Sequence, residues 1–213
     1  MAKKDVSPAV LKRLPVYLNY LRELPDNEQK YISATALASA LNMGEVQVRK
    51  DLALVSDVGR PKIGYPLDIL IGDIEDFLGY GNPKNAVLIG AGKLGKALMG
   101  YSGFAEYGLN IVAGFDTNEA LFGRTESGQE ILPIGELERV CREKKIKIGV
   151  ITVPAEFAQG VCDRLIAAGI AAIWNFAPTH LDVPEGILVQ SENMAASLAL
   201  LSKHLSEQMG HQD

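Results

Sequence analysis

Six consecutive residues, Gly90-Ala91-Gly92-Lys93-Leu94-Gly95, most constrain what this chain can fold into. They follow a short apolar run, Ala86 to Ile89, and open an amphipathic stretch from Leu94 to Tyr101, so the spacing predicts a buried strand feeding a helix through a glycine turn. In a GxGxxG turn of this kind the first glycine permits the bend, the second lets backbone amides approach a pyrophosphate, and the third lets the helix pack on the strand. The helix N-terminus adds unsatisfied N–H groups and a positive partial charge. Asp116 ends the next expected strand, Asn110 to Phe115, about 20 residues further on, where a carboxylate can accept hydrogen bonds from an adenosine ribose. The same carboxylate repels a 2′-phosphate, which favours NADH and NAD⁺ over their phosphorylated counterparts. The expected cofactor contacts are therefore Gly90, Ala91, Gly92, Lys93, Leu94, Gly95 and Asp116.

Around this turn the pattern alternates. A helix is expected near Gly135 to Lys144, a strand at Ile148 to Val153, a helix at Ala155 to Ala168, a strand at Ile170 to Phe176 and a short strand around Ile187 to Gln190. Such alternation predicts an α/β fold built on a parallel, Rossmann-like sheet with crossover helices. Two strand ends, Val153-Pro154 and Asn175-Phe176-Ala177-Pro178, fall at the carboxyl edge where open α/β sheets bind ligands, so Pro154 and Phe176 are candidates for lining the nicotinamide half of a pocket. A terminal helix, Asn193 to Met209, carries Met194, Leu198, Leu201 and Leu205.

The first 80 residues read differently. Val10, Leu11, Leu14, Tyr17, Leu18 and Leu21 fall at helical spacing from Pro8 to Leu24, with Pro15 inside as a possible kink. Ser33 caps a second helix with Ala34, Leu37, Ala38 and Leu41 on one face, and Asn42-Met43-Gly44 breaks it before a third, Glu45 to Val55. Two short helices around a glycine turn predict a helix-turn-helix, and the Gly- and Pro-rich stretch from Asp57 to Pro66 predicts a wing. With Val48, Leu52 and Val55 facing the core, Val46 and Lys50 point outward with Gln47 and Arg49 beside them. A helix so decorated fits the major groove of DNA, and the cations Arg60 and Lys62 of the wing suit a narrow A·T-rich minor groove. Double-stranded DNA is the expected partner of this front, through Val46, Gln47, Arg49, Lys50, Arg60 and Lys62. A further helix, Leu67 to Leu78, leads into Gly79-Tyr80-Gly81-Asn82-Pro83, the expected domain boundary. The organisation is thus a winged helix over 1–80, a Rossmann domain over 84–190 and a terminal helix over 192–209.

Charge agrees with this division once the chain is split. The net charge of −5 argues against nucleic acid, but residues 1–66 carry +3 and residues 67–213 carry −8. No apolar run reaches the roughly 20 residues of a membrane span, and the basic start lacks an apolar signal region, so a cytoplasmic protein without membrane contact is expected. Cys141 and Cys162 have neither CxxC spacing nor neighbouring histidines, which argues against zinc and against a disulfide framework. Catalysis finds no support either. His204 and His211 lie in the terminal helix and tail, and His180 has only Asp182 nearby as an orienting carboxylate, so no catalytic residue is expected.

Taken in order, Leu14-Pro15-Val16-Tyr17-Leu18, Val48-Arg49-Lys50-Asp51-Leu52, Gly59-Arg60-Pro61-Lys62-Ile63-Gly64-Tyr65, the Gly90 to Gly95 turn, Phe115-Asp116 and Asn175-Phe176-Ala177-Pro178 resemble the Rex family of bacterial redox-sensing transcriptional repressors. The resemblance spans nearly the whole chain. It implies a homodimer whose terminal helix is swapped onto its partner, and a switch in which NADH binding releases operator DNA while NAD⁺ competes poorly or supports DNA binding. It also implies that Tyr101 is a redox-sensing tyrosine near the cofactor and that Phe176 reaches toward the nicotinamide. In several relatives an arginine of the first helix pairs with an aspartate at the start of the terminal helix, whereas Asn19 and Asn193 stand at those positions here. The alternatives are a small NAD-dependent dehydrogenase and a CoA- or nucleotide-binding module.

Overall fold

A computed structural model describes residues 6–25 and 30–209. The chain divides into two compact units, the first ending at Asn82 and the second beginning at Pro83. His211 and residues 1–5 of the basic start lie outside the described residues.

In the first unit α1 (Pro8–Arg22) is capped by Ser7, whose hydroxyl accepts from the Val10 amide, and runs unbroken through Pro15. Then come β1 (Tyr31–Ile32), α2 (Ala34–Ala40), α3 (Glu45–Val55), β2 (Tyr65–Pro66) and α4 (Leu67–Leu78). Ser33 caps α2 through the Ala36 amide. One apolar cluster holds the unit together, with Leu14, Tyr17 and Leu18 of α1, Leu37 of α2, Val48 and Leu52 of α3 and Leu70 and Ile74 of α4 all fully buried. These are the stripes that the helical spacing predicts, and burying each such side chain contributes about 1.5–3 kcal/mol. β1 and β2 pair antiparallel, and Arg60 and Gly64 bridge the hairpin between α3 and β2, with Lys62 at its tip in the left-handed region at φ 65°. This is the geometry of a wing following a helix-turn-helix.

The second unit is a seven-stranded sheet. Its elements are β3 (Lys84–Ile89), α5 (Lys93–Gly100), α6 (Gly103–Glu106), β4 (Leu109–Asp116), β5 (Gly123–Arg124), β6 (Glu130–Pro133), α7 (Leu137–Glu143), β7 (Ile148–Ile151), α8 (Ala155–Ala167), β8 (Ala172–Asn175), β9 (Leu188–Ser191) and α9 (Met194–Met209). The strand order is β5-β6-β4-β3-β7-β8-β9. All neighbours run parallel except β5, which pairs antiparallel with β6 at the edge. The sheet is therefore mostly parallel, and β5 and β6 are additions to the order read from the sequence. The order reverses direction between β3 and β7, which is the topological switch point of a doubly wound sheet.

Alternation along each strand separates two cores. Val87 and Ile89 join Phe115 and Ile151 beneath α7 and α8, while Ala86 and Leu88 join Ile111 and Val150 on the face that Met99 of α5 packs against. Cys141 and Cys162 are buried in the first of these cores. Burial pushes the Cys141 thiol up to about 11 and raises that of Cys162, so both are held as thiols. No described helix is long and apolar enough to cross a membrane.

Candidate functional site

The glycine turn sits directly at the switch point. Gly90 has φ +99°, and a Cβ there would come within 2.9 Å of the Thr152 backbone, so glycine is required by both conformation and space. A Cβ on Gly95 would stand 2.1 Å from the Gly90 carbonyl, which fixes how closely α5 meets β3. At Gly92, the N-cap of α5, no protein atom lies within 4 Å of where a Cβ would be. Gly90 and Gly95 are thus required by the bend and by the close approach of helix to strand, and the backbone at Gly92 is left uncovered.

Two side chains hold the turn in place. The Asp116 carboxylate accepts from the Ala91 amide at 2.7 Å through one oxygen and from the Asn118 amide at 2.9 Å through the other. Thr152 donates its hydroxyl to the Gly90 carbonyl at 2.8 Å, and its amide donates to the Ile89 carbonyl at 2.9 Å. A carboxylate has about four lone-pair sites, so Asp116 can order the loop and still accept from a sugar hydroxyl.

Beside the turn lies a cavity of about 500 Å³. Gly90, Gly92, Asp116 and Pro154 line it together, as do Ile134, Thr152, Val153, Phe157, Val161 and Arg164. Its walls are largely apolar, with Asp116 as the acidic group and the N-terminus of α5 as the electropositive one. Arg164 is held by a two-pronged ion pair to Glu138, at 2.7 and 3.3 Å, and this guanidinium holds the Glu138 carboxyl below its ordinary value. Phe157 is 59% exposed at the rim. The residues fit a dinucleotide: a backbone cradle for pyrophosphate, a carboxylate for ribose and an apolar slot for a base.

Tyr101 and Phe176 lie apart from this cavity's lining. They end a chain of four aromatic rings on the α5 face of the sheet, Tyr101 to Phe104 at 4.9 Å, Phe104 to Trp174 at 5.4 Å and Trp174 to Phe176 at 4.8 Å between centroids. Each contact is tilted or edge-on, as the ring quadrupoles prefer. Asn175 is fully buried, and its side-chain nitrogen donates to the carbonyls of Ala177 and Thr179. Asn193 caps α9 by accepting from the Ala196 amide at 2.9 Å.

In the first unit Val46, Gln47, Arg49 and Lys50 lie on the exposed side of α3, and Arg60 and Lys62 are exposed on the wing. Arg49 is paired with Glu45 one turn earlier. Gln47 turns back toward α1, where its amide oxygen comes within 2.8 Å of the Arg13 guanidinium. Behind this surface, Asp51 is buried and accepts two bonds from Arg13, at 2.7 and 2.9 Å, and one from the Tyr17 hydroxyl at 2.8 Å. Burial, with Asp51 as hydrogen-bond acceptor, pushes Tyr17 up to about 12. The triad locks α3 to α1.

Spacing in the sequence marks the glycines and Asp116, but neither Thr152, Phe157 and Arg164 around the cavity nor Trp174 between Phe104 and Phe176. Position carries the only signal for most of these, since each stands at the carboxyl end of a strand or in the helix that follows. Asp51 was legible only as part of the Val48 to Leu52 motif.

Comparison with known proteins bears on both units. A family model described as a putative DNA-binding protein N-terminus matches residues 5–53, and one described as a CoA binding domain matches residues 82–179. The redox-sensing transcriptional repressor Rex of Treponema denticola is 42% identical, over 94% of this chain and 96% of its own. That of Clostridium beijerinckii is also 42% identical, over 96% and 97%. Among solved structures, the Rex-family repressor RSP in complex with β-NAD⁺ and operator DNA matches at TM-score 0.89 and 36% identity, covering 99% of this chain and 97% of that one. RSP in complex with β-NADH matches at 0.87 and 35% identity, covering 99% of each. With relatives at this identity along almost its whole length, carrying a winged helix ahead of a doubly wound sheet, the chain belongs to the Rex family of redox-sensing transcriptional repressors.

Proposed function

We propose that this protein is a dimeric, cytoplasmic repressor that reads the balance of NADH against NAD⁺ in its second unit and binds operator DNA through its first. The observation that carries the reading is the convergence of Gly90, Gly92, Asp116 and Pro154 on one cavity at the switch point, in a chain that begins with a winged helix. The α5 N-terminus holds the pyrophosphate, with Lys93 and Leu94 presenting main-chain amides, while the Ala91 amide is taken up by Asp116 and shapes the turn. Asp116 takes the adenosine ribose.

When bound, the cofactor offers a nicotinamide ring that is neutral in NADH and cationic in NAD⁺. Phe176, at the carboxyl edge of the sheet, offers that ring apolar, aromatic surface, which favours the neutral form because burying an unpaired cation is costly, while Tyr101 stands at the far end of the same aromatic chain. A tenfold preference needs only about 1.4 kcal/mol of differential affinity, and the switch can move no further than that difference allows.

On the DNA side, Lys50 and Val46 enter the major groove, with Gln47 and Arg49 at its edge and Arg60 and Lys62 in the adjacent minor groove. α9 supports the dimer. It has no buried residue, and Met194, Leu198, Leu200, Leu201, Leu205 and Met209 are each more than half exposed within one chain. A second copy exchanging this helix would cover them, a contribution of about 1.5–3 kcal/mol for each side chain fully buried.

The test is a gel shift on an A·T-rich palindrome, titrated separately with NADH and NAD⁺ at fixed, stated salt. NADH is expected to release the DNA at concentrations where NAD⁺ does not, and equal responses to both would overturn the reading. The match of residues 82–179 to a CoA binding domain favours a second reading, a CoA-binding module. It predicts tighter binding of CoA than of NADH, against which Asp116 stands, because a carboxylate placed at the ribose repels the ribose phosphate of CoA.

A further inference from the structure

We propose that Trp174 and Glu192 form the link by which the strand end bearing Phe176 sets the root of α9. The inference rests on the redox-switch reading above and names positioning residues within it.

Trp174 is the chain's single tryptophan. Its ring packs on Phe176 at 4.8 Å, with 54° between ring planes, and its indole N–H donates to Glu192 Oε1 at 3.0 Å. Glu192 stands just before α9, between Ser191 at the end of β9 and the cap residue Asn193. The Glu192 amide also donates to the Asn175 carbonyl at 2.8 Å, and the buried Asn175 side chain reaches the Ser191 hydroxyl at 3.3 Å. Residues 174–176 and 191–193 are thus one hydrogen-bonded block. One part carries Phe176 and the other launches α9.

Of the three ties in this block, the one made by Trp174 comes from a side chain whose ring packs on the ring of Phe176. The Asn175 side chain points into the buried core, and the backbone bond belongs to the strand ladder. A charge-assisted indole–carboxylate bond is strongly directional, so a shift of the Phe176 ring that turns the indole lengthens or breaks it. Glu192 then has a second favourable place one residue before the cap, at the positive N-terminal end of α9. Two alternative partners for one carboxylate give the discrete, two-state element that coupling requires. Trp174 thereby transmits what happens at Phe176 to the angle at which α9 leaves the sheet.

The experiment compares the full-length protein with Trp174→Phe, Glu192→Ala and Glu192→Gln. The quantity read is the ratio of operator Kd with saturating NADH to that without it, together with the NADH Kd of DNA-free protein. Trp174→Phe keeps a ring but removes the donor, and Glu192→Ala removes the acceptor. Each is expected to lower the ratio about tenfold while changing the DNA-free NADH Kd less than about threefold. Glu192→Gln, which retains an accepting oxygen, is expected to keep most of the ratio. The single tryptophan gives one indole N–H resonance, which is expected to move when wild type is saturated with NADH and to move less in Glu192→Ala. Should Trp174→Phe fail to fold, Glu192→Ala and the indole resonance decide the matter. A wild type that responds to NADH beside variants that respond equally would overturn this inference alone. A wild-type ratio of one would overturn the redox-switch reading, and this inference with it.

Discussion

At the scale of single residues, Asp116 does more than a ribose-binding carboxylate needs to do. By accepting from the Ala91 amide it shapes the loop that precedes α5, so the residue proposed to take the ribose also positions the proposed pyrophosphate cradle. Asp116→Ser is therefore expected to have two effects. Discrimination against NADPH falls, because the repelling charge is gone, and NADH affinity itself drops by about 1–3 kcal/mol, because the loop amide loses a charged acceptor. Isothermal titration with NADH and NADPH checks both, and an unchanged preference between them would remove Asp116 from the ribose site. Asp116 could be found from its distance to the glycines. Thr152 and Phe157 could not, because nothing in a threonine after a strand or a phenylalanine in a helix marks it until the sheet brings β3 and β7 side by side.

Among the elements, α3 shows how a surface is held from behind. Its outward residues follow from helical periodicity, but its rigidity comes from Asp51, which Arg13 and Tyr17 of α1 grip in a buried site. Lys50→Ala is expected to weaken operator binding by about 1–3 kcal/mol if Lys50 reads a base, or to reduce the salt slope by about one if it meets a phosphate, leaving NADH affinity unchanged in either case. Parallel DNA and NADH titrations distinguish these outcomes. Tyr17 adds a pH dependence. Its folded value, about 12, lies above the ordinary 10, so the stability it contributes is complete below pH 10 and is lost as the pH rises through 12. Wild type is expected to exceed Tyr17→Phe by about 1–2 kcal/mol near neutrality, with the gap closing between pH 10 and 12 in urea titrations. β5 and β6 escaped the sequence reading for a related reason. β6 is only four residues and ends in Pro133, while β5 is two residues on an exposed edge, so neither shows the alternation that identifies a strand.

For the whole molecule, α9 is the element whose sequence and burial disagree. An amphipathic helix without a buried residue implies a covering surface, and the proposed dimer supplies it. Replacing Leu198 and Leu201 together by Asp is expected to yield a monomer that binds operator at least tenfold more weakly, since two half-sites can no longer be engaged at once. Analytical ultracentrifugation and gel shift on the same preparation test this, and a dimer with undiminished DNA affinity would place the interface elsewhere.

The amino-acid sequence alone determined the order of the units, the glycine turn with its acidic partner, and the outward face of α3. All of these are local: they depend on periodicity, turn chemistry and spacings that a short window contains. Tertiary structure alone decided that Asp51 is a buried anchor, that Thr152 and Phe157 join Asp116 at one cavity, and that Trp174 and Glu192 meet at the root of α9. Arg13 and Asp51 meet across a separation of 38 positions, and Thr152 and Gly90 across 62. Such pairings exist only once strand order and helix packing have folded distant segments together, because side-chain contact is a property of space rather than of sequence separation.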